Sequence, residues 1–236
     1  MQYHWLSKNG NENLIVFFCG WSFDYKPFEN LLCENYDVLC FYDYVDVDRV
    51  CSSELLSTSA GKLLNDKNLF SKYKKSVLIT WSMGVYVAYL IRDVLPEFDL
   101  NIAINGTPFP IDDEMGIPVK TFDLTLKYVD TGLQGKFQKN LFKSPDDYEK
   151  YIKNPVNRSI ENQKAELTAL NNFIKGKLIE YNKFYDYAII SDTDKMIPTR
   201  NQQFCWEKYK TPVKIISGGH CPFLGYKSWE DIINAS

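Results

Sequence analysis

Six short runs of nearly unbroken apolar residues punctuate the chain: "LIVFFC" (14–19), "DVLCFY" (37–42), "SVLIT" (76–80), "LNIAIN" (100–105), "YDYAIIS" (185–191) and "VKIIS" (213–217). A strand apolar on both faces is buried on both faces, the condition of a parallel strand between helix layers. Helix-like spacing fills the intervals at 53–64, 84–95 and 199–209, and again at 228–235 after the last run. This alternation predicts an α/β fold with a mostly parallel sheet, helices on both faces and right-handed crossovers. "MQYHWL" (1–6) is read as an additional, antiparallel edge strand.

Residues 108–182 interrupt the alternation, with helix signals and no strand-like run. Ser144 is placed to cap a helix with Pro145 at its first position and acids in its first turn. Ile160, Leu167, Leu170 and Ile174 recur at helical spacing. The expectation is one domain over 1–236 with residues 108–182 as a helical lid inserted between two sheet strands.

Composition narrows the field. A net charge of −3 gives no general attraction to nucleic acid or to an anionic membrane. No apolar run reaches the length of a membrane span, and the first residues lack a signal peptide's basic and apolar regions, so a cytoplasmic protein is expected. The six cysteines are scattered without a C-x-x-C pair, which favours small buried hydrophobes over a metal or redox site. The 16 Tyr and 15 Phe suit a large core or an apolar pocket, and composition does not choose between them.

The chemistry is concentrated at the strand ends. "LITWSMGVYVAYLI" (78–91) runs a strand through Thr80-Trp81-Ser82-Met83-Gly84 into a helix. This is the layout of a nucleophile elbow, with Thr80 standing where G-x-S-x-G has its first glycine. Alone, the triplet equally describes a helix-capping serine. A serine nucleophile needs a base, and His220 in "SGGHCPF" follows the last strand, whereas His4 lies near the N-terminus and reads as structural. The base needs an acid, and "IISDTDKMIP" offers Asp192 and Asp194 after the preceding strand. Asp194 is preferred, because the segment parallels a G-x-x-D-x-x-x-P loop that often carries this acid. The order Ser82, Asp194, His220 is that of an α/β-hydrolase. "CGW" after the first core strand adds an oxyanion hole built from the N–H groups of Trp21 and Met83.

With these residues assembled, the chain resembles the BioG type of pimeloyl-[acyl-carrier protein] methyl ester esterases of biotin synthesis. The resemblance is carried by "FFCGW", "WSMGVYVA", "INGTPFPIDDEMGIP", "AELTAL", "DKMIPTRNQ" and "GGHCPF", and covers nearly the whole chain. It implies Ser82 as nucleophile, His220 as base and Asp194 as acid, no metal or organic cofactor, and an acyl carrier protein as the partner bearing the substrate. The alternatives are a general short-chain carboxylesterase or thioesterase with the same triad, and a non-catalytic binding protein on the same fold. Cys19 beside the proposed oxyanion loop is read as a buried thiol rather than a reactive one. Residues 120–158 hold eight bases (Lys120, Lys127, Lys136, Lys139, Lys143, Lys150, Lys153 and Arg158) against five acids, a segment at +3 in a chain otherwise at −6. Such a surface suits an acidic carrier; a solvated helical face is the plainer account of any single lysine.

Overall fold

In the computed structural model, residues 1–132, 136–175, 177 and 179–235 are described, without the side chains of residues 132 and 136. Seven strands form one sheet: β1 (Gln2–Ser7), β2 (Asn13–Phe18), β3 (Tyr36–Tyr42), β4 (Lys75–Trp81), β5 (Leu100–Ile104), β6 (Tyr187–Ser191) and β7 (Val213–Ile216). Their spatial order is β1-β3-β2-β4-β5-β6-β7. Every pair is parallel except β1 with β3, so the six apolar runs and the antiparallel edge strand are all found. The β1 register slips between Trp5 and Ser7. His4, on this strand, stacks on Tyr25 with ring centroids 3.6 Å apart.

The period of two along a strand builds two cores from one run of residues. In β2, Leu14, Val16 and Phe18 enter the core on one face of the sheet. Ile15, Phe17 and Cys19 enter the core on the other. Much of the aromatic excess lies there: Phe17 packs against Phe28 and Trp229 at 5.0 Å, and Phe23 against Trp81 at 4.8 Å.

Helices α1 (Val47–Val50), α2 (Ser59–Leu64), α3 (Lys67–Phe70) and α4 (Met83–Leu90) precede β5. Between β5 and β6 lie α5 (Val119–Lys127), α6 (Val129–Gly132), α7 (Lys136–Asn140), α8 (Pro145–Lys153) and α9 (Ile160–Lys175). Helices α10 (Thr199–Lys208) and α11 (Trp229–Asn234) flank β7 in sequence. Two expected helices are shorter than their patterns. The segment 53–64 is a 3-10 turn over Ser53–Ser57 followed by α2, because Thr58 is extended and its side chain caps α2 by accepting from the Gly61 N–H at 3.0 Å. The segment 84–95 leaves the α-helix after Leu90, and Leu95 is extended before Pro96, as a residue preceding proline must be. Ser144 does cap α8, accepting from the Asp147 N–H at 3.1 Å. On α9, Leu167 and Leu170 are buried while Ile160 and Ile174 are only partly covered.

After β2 the chain turns to one side of the sheet, and after β3 it returns to the other side to make β4. Loops leaving the carboxyl ends of neighbouring strands diverge at such a reversal and open a crevice. The loops after β2, β4, β5, β6 and β7 carry Trp21, Ser82, Asn105, Asp194 and His220 respectively.

Candidate active site

Ser82 is the single residue between β4 and α4, with φ 56° and ψ −123°. A side chain held at positive φ is strained by about 1–3 kcal/mol, and persists only where its surroundings over-determine it. They do so here. The Ser82 N–H donates to the Ile104 carbonyl on β5 at 3.0 Å. A Cβ on Gly84 would lie 2.4 Å from the Phe18 carbonyl oxygen, so only glycine lets α4 descend onto the end of β2. Thr80, in place of the usual glycine, is fully buried and donates its hydroxyl to the Ile102 carbonyl at 3.0 Å. The departure from G-x-S-x-G is thus accommodated by a hydrogen bond to β5.

His220 reaches Ser82 across the crevice, Nε2 to Oγ at 2.8 Å. Its Nδ1 lies 2.8 Å from Asp194 Oδ2. With the serine hydroxyl donating to Nε2, Nδ1 carries the proton and donates to the carboxylate. Asp194 is further held by Gln202 Nε2 on Oδ2 and by the N–H groups of Met196 and Ile197 on Oδ1. Asp192 faces elsewhere: its carboxylate accepts from Lys143 Nζ at 3.2 Å and from the Gly218 N–H at 3.1 Å. The Gly218 contact, with help from Lys143, holds the Asp192 carboxyl below its ordinary value.

Trp21 and Met83 lie beside Ser82 on the wall of the same pocket. Among the described residues, no acceptor meets the backbone N–H of either. The loop is close: a Cβ on Gly20 would stand 3.0 Å from the Ser82 Cβ. Phe122, Phe137, Leu141, Leu167 and Met196 supply an apolar wall, four of them from the segment between β5 and β6. Burial and the Cys40 thiol 3.3 Å away push the Cys19 thiol well above its usual range, so it carries no reactive thiolate.

Sequence reasoning gave no role to Asn105, although it lies in "INGTPFPIDDEMGIP", one of the segments that carry the family resemblance. Its Nδ2 donates to the His220 carbonyl at 2.9 Å, to the Gly219 carbonyl at 3.0 Å and to Ser191 Oγ at 2.8 Å. Trp81 Nε1 donates to the same His220 carbonyl at 2.8 Å. These bonds fix the histidine loop from behind.

The basic segment needs correction. Arg158 does not face solvent: its side chain is 4% exposed and pairs with Glu166 at 2.8 Å and Asp43 at 3.2 Å. Lys143 is tied to Asp192 and Ser217, and Lys150 to Asp147 and the Leu224 carbonyl. The Lys136 side chain lies outside the described residues. Lys120 and Lys127 stand exposed on α5, with Leu124 and Tyr128 exposed between and beside them.

Among the described residues, no helix is long and apolar enough to cross a membrane. Comparison with known proteins places these features in context. A lipase-esterase related protein from Clostridium acetobutylicum superposes with a TM-score of 0.65 at 16% identity over 100% of this chain and 99% of that one, which shows a shared α/β-hydrolase fold. A malonyl-[acyl-carrier protein] O-methyltransferase from Bacteroides fragilis is 32% identical over 210 residues. That match takes in 87% of this chain, which spans only 39% of the relative's length. The crystal structure of BioG from Haemophilus influenzae superposes with a TM-score of 0.80 at 28% identity, covering 98% of this chain and 99% of that one. Residues 1–232 match the family described as "Pimeloyl-ACP methyl esterase BioG", and the chain belongs to that family of hydrolases.

Proposed function

We propose that this protein hydrolyses the methyl ester at the far end of a pimeloyl chain borne by acyl carrier protein, releasing methanol, with Ser82 as nucleophile, His220 as base and Asp194 as acid. The observation that carries this reading is the run of hydrogen bonds Asp194–His220–Ser82, 2.8 Å at each step, opening on an apolar pocket. His220 Nε2 takes the Ser82 proton as Oγ attacks the ester carbonyl. The N–H groups of Trp21 and Met83 receive the oxyanion, and a donor of this kind contributes about 3 kcal/mol at the transition state. The imidazolium, steadied by Asp194, returns the proton to the departing methoxide. Water then enters by the same route and frees the acid from Ser82. The aliphatic chain lies along the wall of Phe122, Leu167 and Met196. The Bacteroides fragilis relative is named for methyl transfer to a carrier-bound acid, which makes the kind of ester that this chemistry removes.

The carrier docks on the outer face of α5. Thr121 and Thr125 of that helix line the pocket, while Lys120, Leu124 and Lys127 share an adjoining exposed face, with Tyr128 exposed just past the end of the helix. An acidic partner with apolar anchors fits two exposed lysines around two exposed apolar side chains.

The test is methanol release from the carrier-linked methyl ester. Ser82→Ala should lower kcat by at least about a thousandfold, because triad members act as a unit. A folded Ser82→Ala protein retaining a tenth of the activity rejects the assignment. Restored growth of a biotin auxotroph lacking its own methyl esterase would separate this substrate from simple esters.

A further inference from the structure

Helix α9 belongs to the segment between β5 and β6, yet several of its polar contacts run to the loops after β2 and β3. Glu166, completely buried, accepts from the Ser22 N–H on Oε2 at 3.2 Å and from the Tyr44 N–H on Oε1 at 2.8 Å. Arg158 Nη1 donates to the same Oε2 at 2.8 Å and to the Phe23 carbonyl at 3.1 Å. One turn earlier on α9, the Gln163 carbonyl accepts from Trp21 Nε1 at 2.8 Å. Both loops are strained where they are gripped: Ser22 has φ 71° and Asp43, just before Tyr44, has φ 58°. Non-glycine residues hold such angles only when neighbouring contacts impose them.

We propose that Glu166 is a positioning residue for ester hydrolysis, setting from α9 the Trp21–Ser22 segment that presents one oxyanion donor. Three features converge on it. Trp21 is held at its indole by Gln163 and at its following peptide by Glu166, which leaves its own N–H a fixed direction. The carboxylate is an acceptor on both oxygens, and all three groups facing it are donors, so a carboxylate alone satisfies them together. Leu167, next on the helix, lines the pocket, so one helix sets both the acyl wall and the oxyanion loop. Glu166 touches no reacting atom; it acts through Trp21. Oxyanion donors matter through placement, and an error near 1 Å costs about a hundredfold in rate.

The inference rests on the oxyanion reading above, and Glu166→Asp tests it. The shorter side chain keeps the buried charge opposite Arg158 but withdraws the acceptor from Ser22. The expected result is a kcat lower by about 10–100-fold on a small soluble methyl ester, with KM within about twofold. Affinity for a trifluoromethyl ketone, which forms a tetrahedral adduct with the serine, should fall by the same factor as kcat/KM, while affinity for the free product acid holds. Glu166→Gln is the second variant, should the first not fold: its amide sets an N–H against at least one of the three donors, and kcat should fall again. A folded Glu166 variant with wild-type kcat and wild-type ketone affinity overturns the proposal. So does a loss confined to thermal stability or to KM. Were Ser82→Ala to keep its activity, the underlying site would be wrong; were Ser82→Ala dead and the Glu166 variants unimpaired, only the positioning role would fall.

Discussion

Asp194 and Asp192 are separated by one residue, yet four nitrogen groups close on the first while the second turns to Lys143 and the Gly218 N–H. Replacing each by asparagine should therefore divide their roles. Asp194→Asn should cut turnover by about a thousandfold or more, since an amide facing Nδ1 favours the wrong imidazole tautomer. Asp192→Asn should stay within about threefold of wild type, and the reverse pattern would exchange the two assignments. The two should also differ in acid. A carboxyl held low in the folded state contributes stability above its unfolded value and loses it as pH falls through the folded one. Urea midpoints of wild type and Asp192→Asn should therefore differ at neutral pH and converge only in stronger acid, as pH falls past the ordinary carboxylate range and through the lowered Asp192 value. The hydrogen-bonded set Ser82, His220 and Asp194 was legible because each residue follows a strand and their order matches that of a hydrolase nucleophile, acid and base. Asn105 and Glu166 were not, because their backbone partners lie far away in sequence: residues 191, 219 and 220 contact the first, and 22 and 44 the second. A polar side chain that satisfies distant backbone groups leaves no local pattern.

At the scale of elements, the junction of β2, β4 and α4 is the tightest point near the site. A methyl group on Gly84 meets the carbonyl oxygens of Phe18 at 2.4 Å and Cys19 at 2.5 Å, both backbone atoms with nowhere to go. Gly84→Ala should lower stability by about 1–3 kcal/mol by chemical denaturation and disable the enzyme, because α4 and Ser82 at its start must lift away from the end of β2. An unchanged denaturation midpoint would show that the helix has room. The strands were readable because burial on both faces writes an unbroken apolar run. Helix ends were harder: Thr58 halts one segment and starts another through a side-chain cap, and Pro96 acts on its predecessor. Helices α5, α6 and α7 left weaker marks, since α5 turns apolar residues outward, Val119 and Leu124 among them. Periodicity reports a buried stripe, and a helix with apolar residues on its exposed face blurs it.

On the scale of the whole molecule, charge is unevenly spread, and burial decides which charges matter. Three of the eight bases in 120–158 are engaged within the fold, so the segment's charge overstates what a partner meets. Charge reversal of Lys120 and Lys127 together should raise KM for the carrier-linked ester about tenfold or more. It should leave kcat, and hydrolysis of a small free ester, nearly unchanged. Salt should mimic it for the carrier alone, as the Debye length shrinks from about 10 Å at 0.1 M to about 3 Å at 1 M. Equal effects on both substrates would instead assign these lysines to pocket shape, and no effect on either would move docking to another surface. The slipped register of β1 has its own consequence at this scale. An open sheet ends in unpaired backbone groups that invite a strand from a neighbouring molecule. At one border, the irregularity between Trp5 and Ser7 spoils the regular ladder such a visitor would need. At the other, β7 is only four residues long and carries Lys214. Both borders resist zipping of copy onto copy, so a crowded solution of this protein has little means of growing fibres through its sheet.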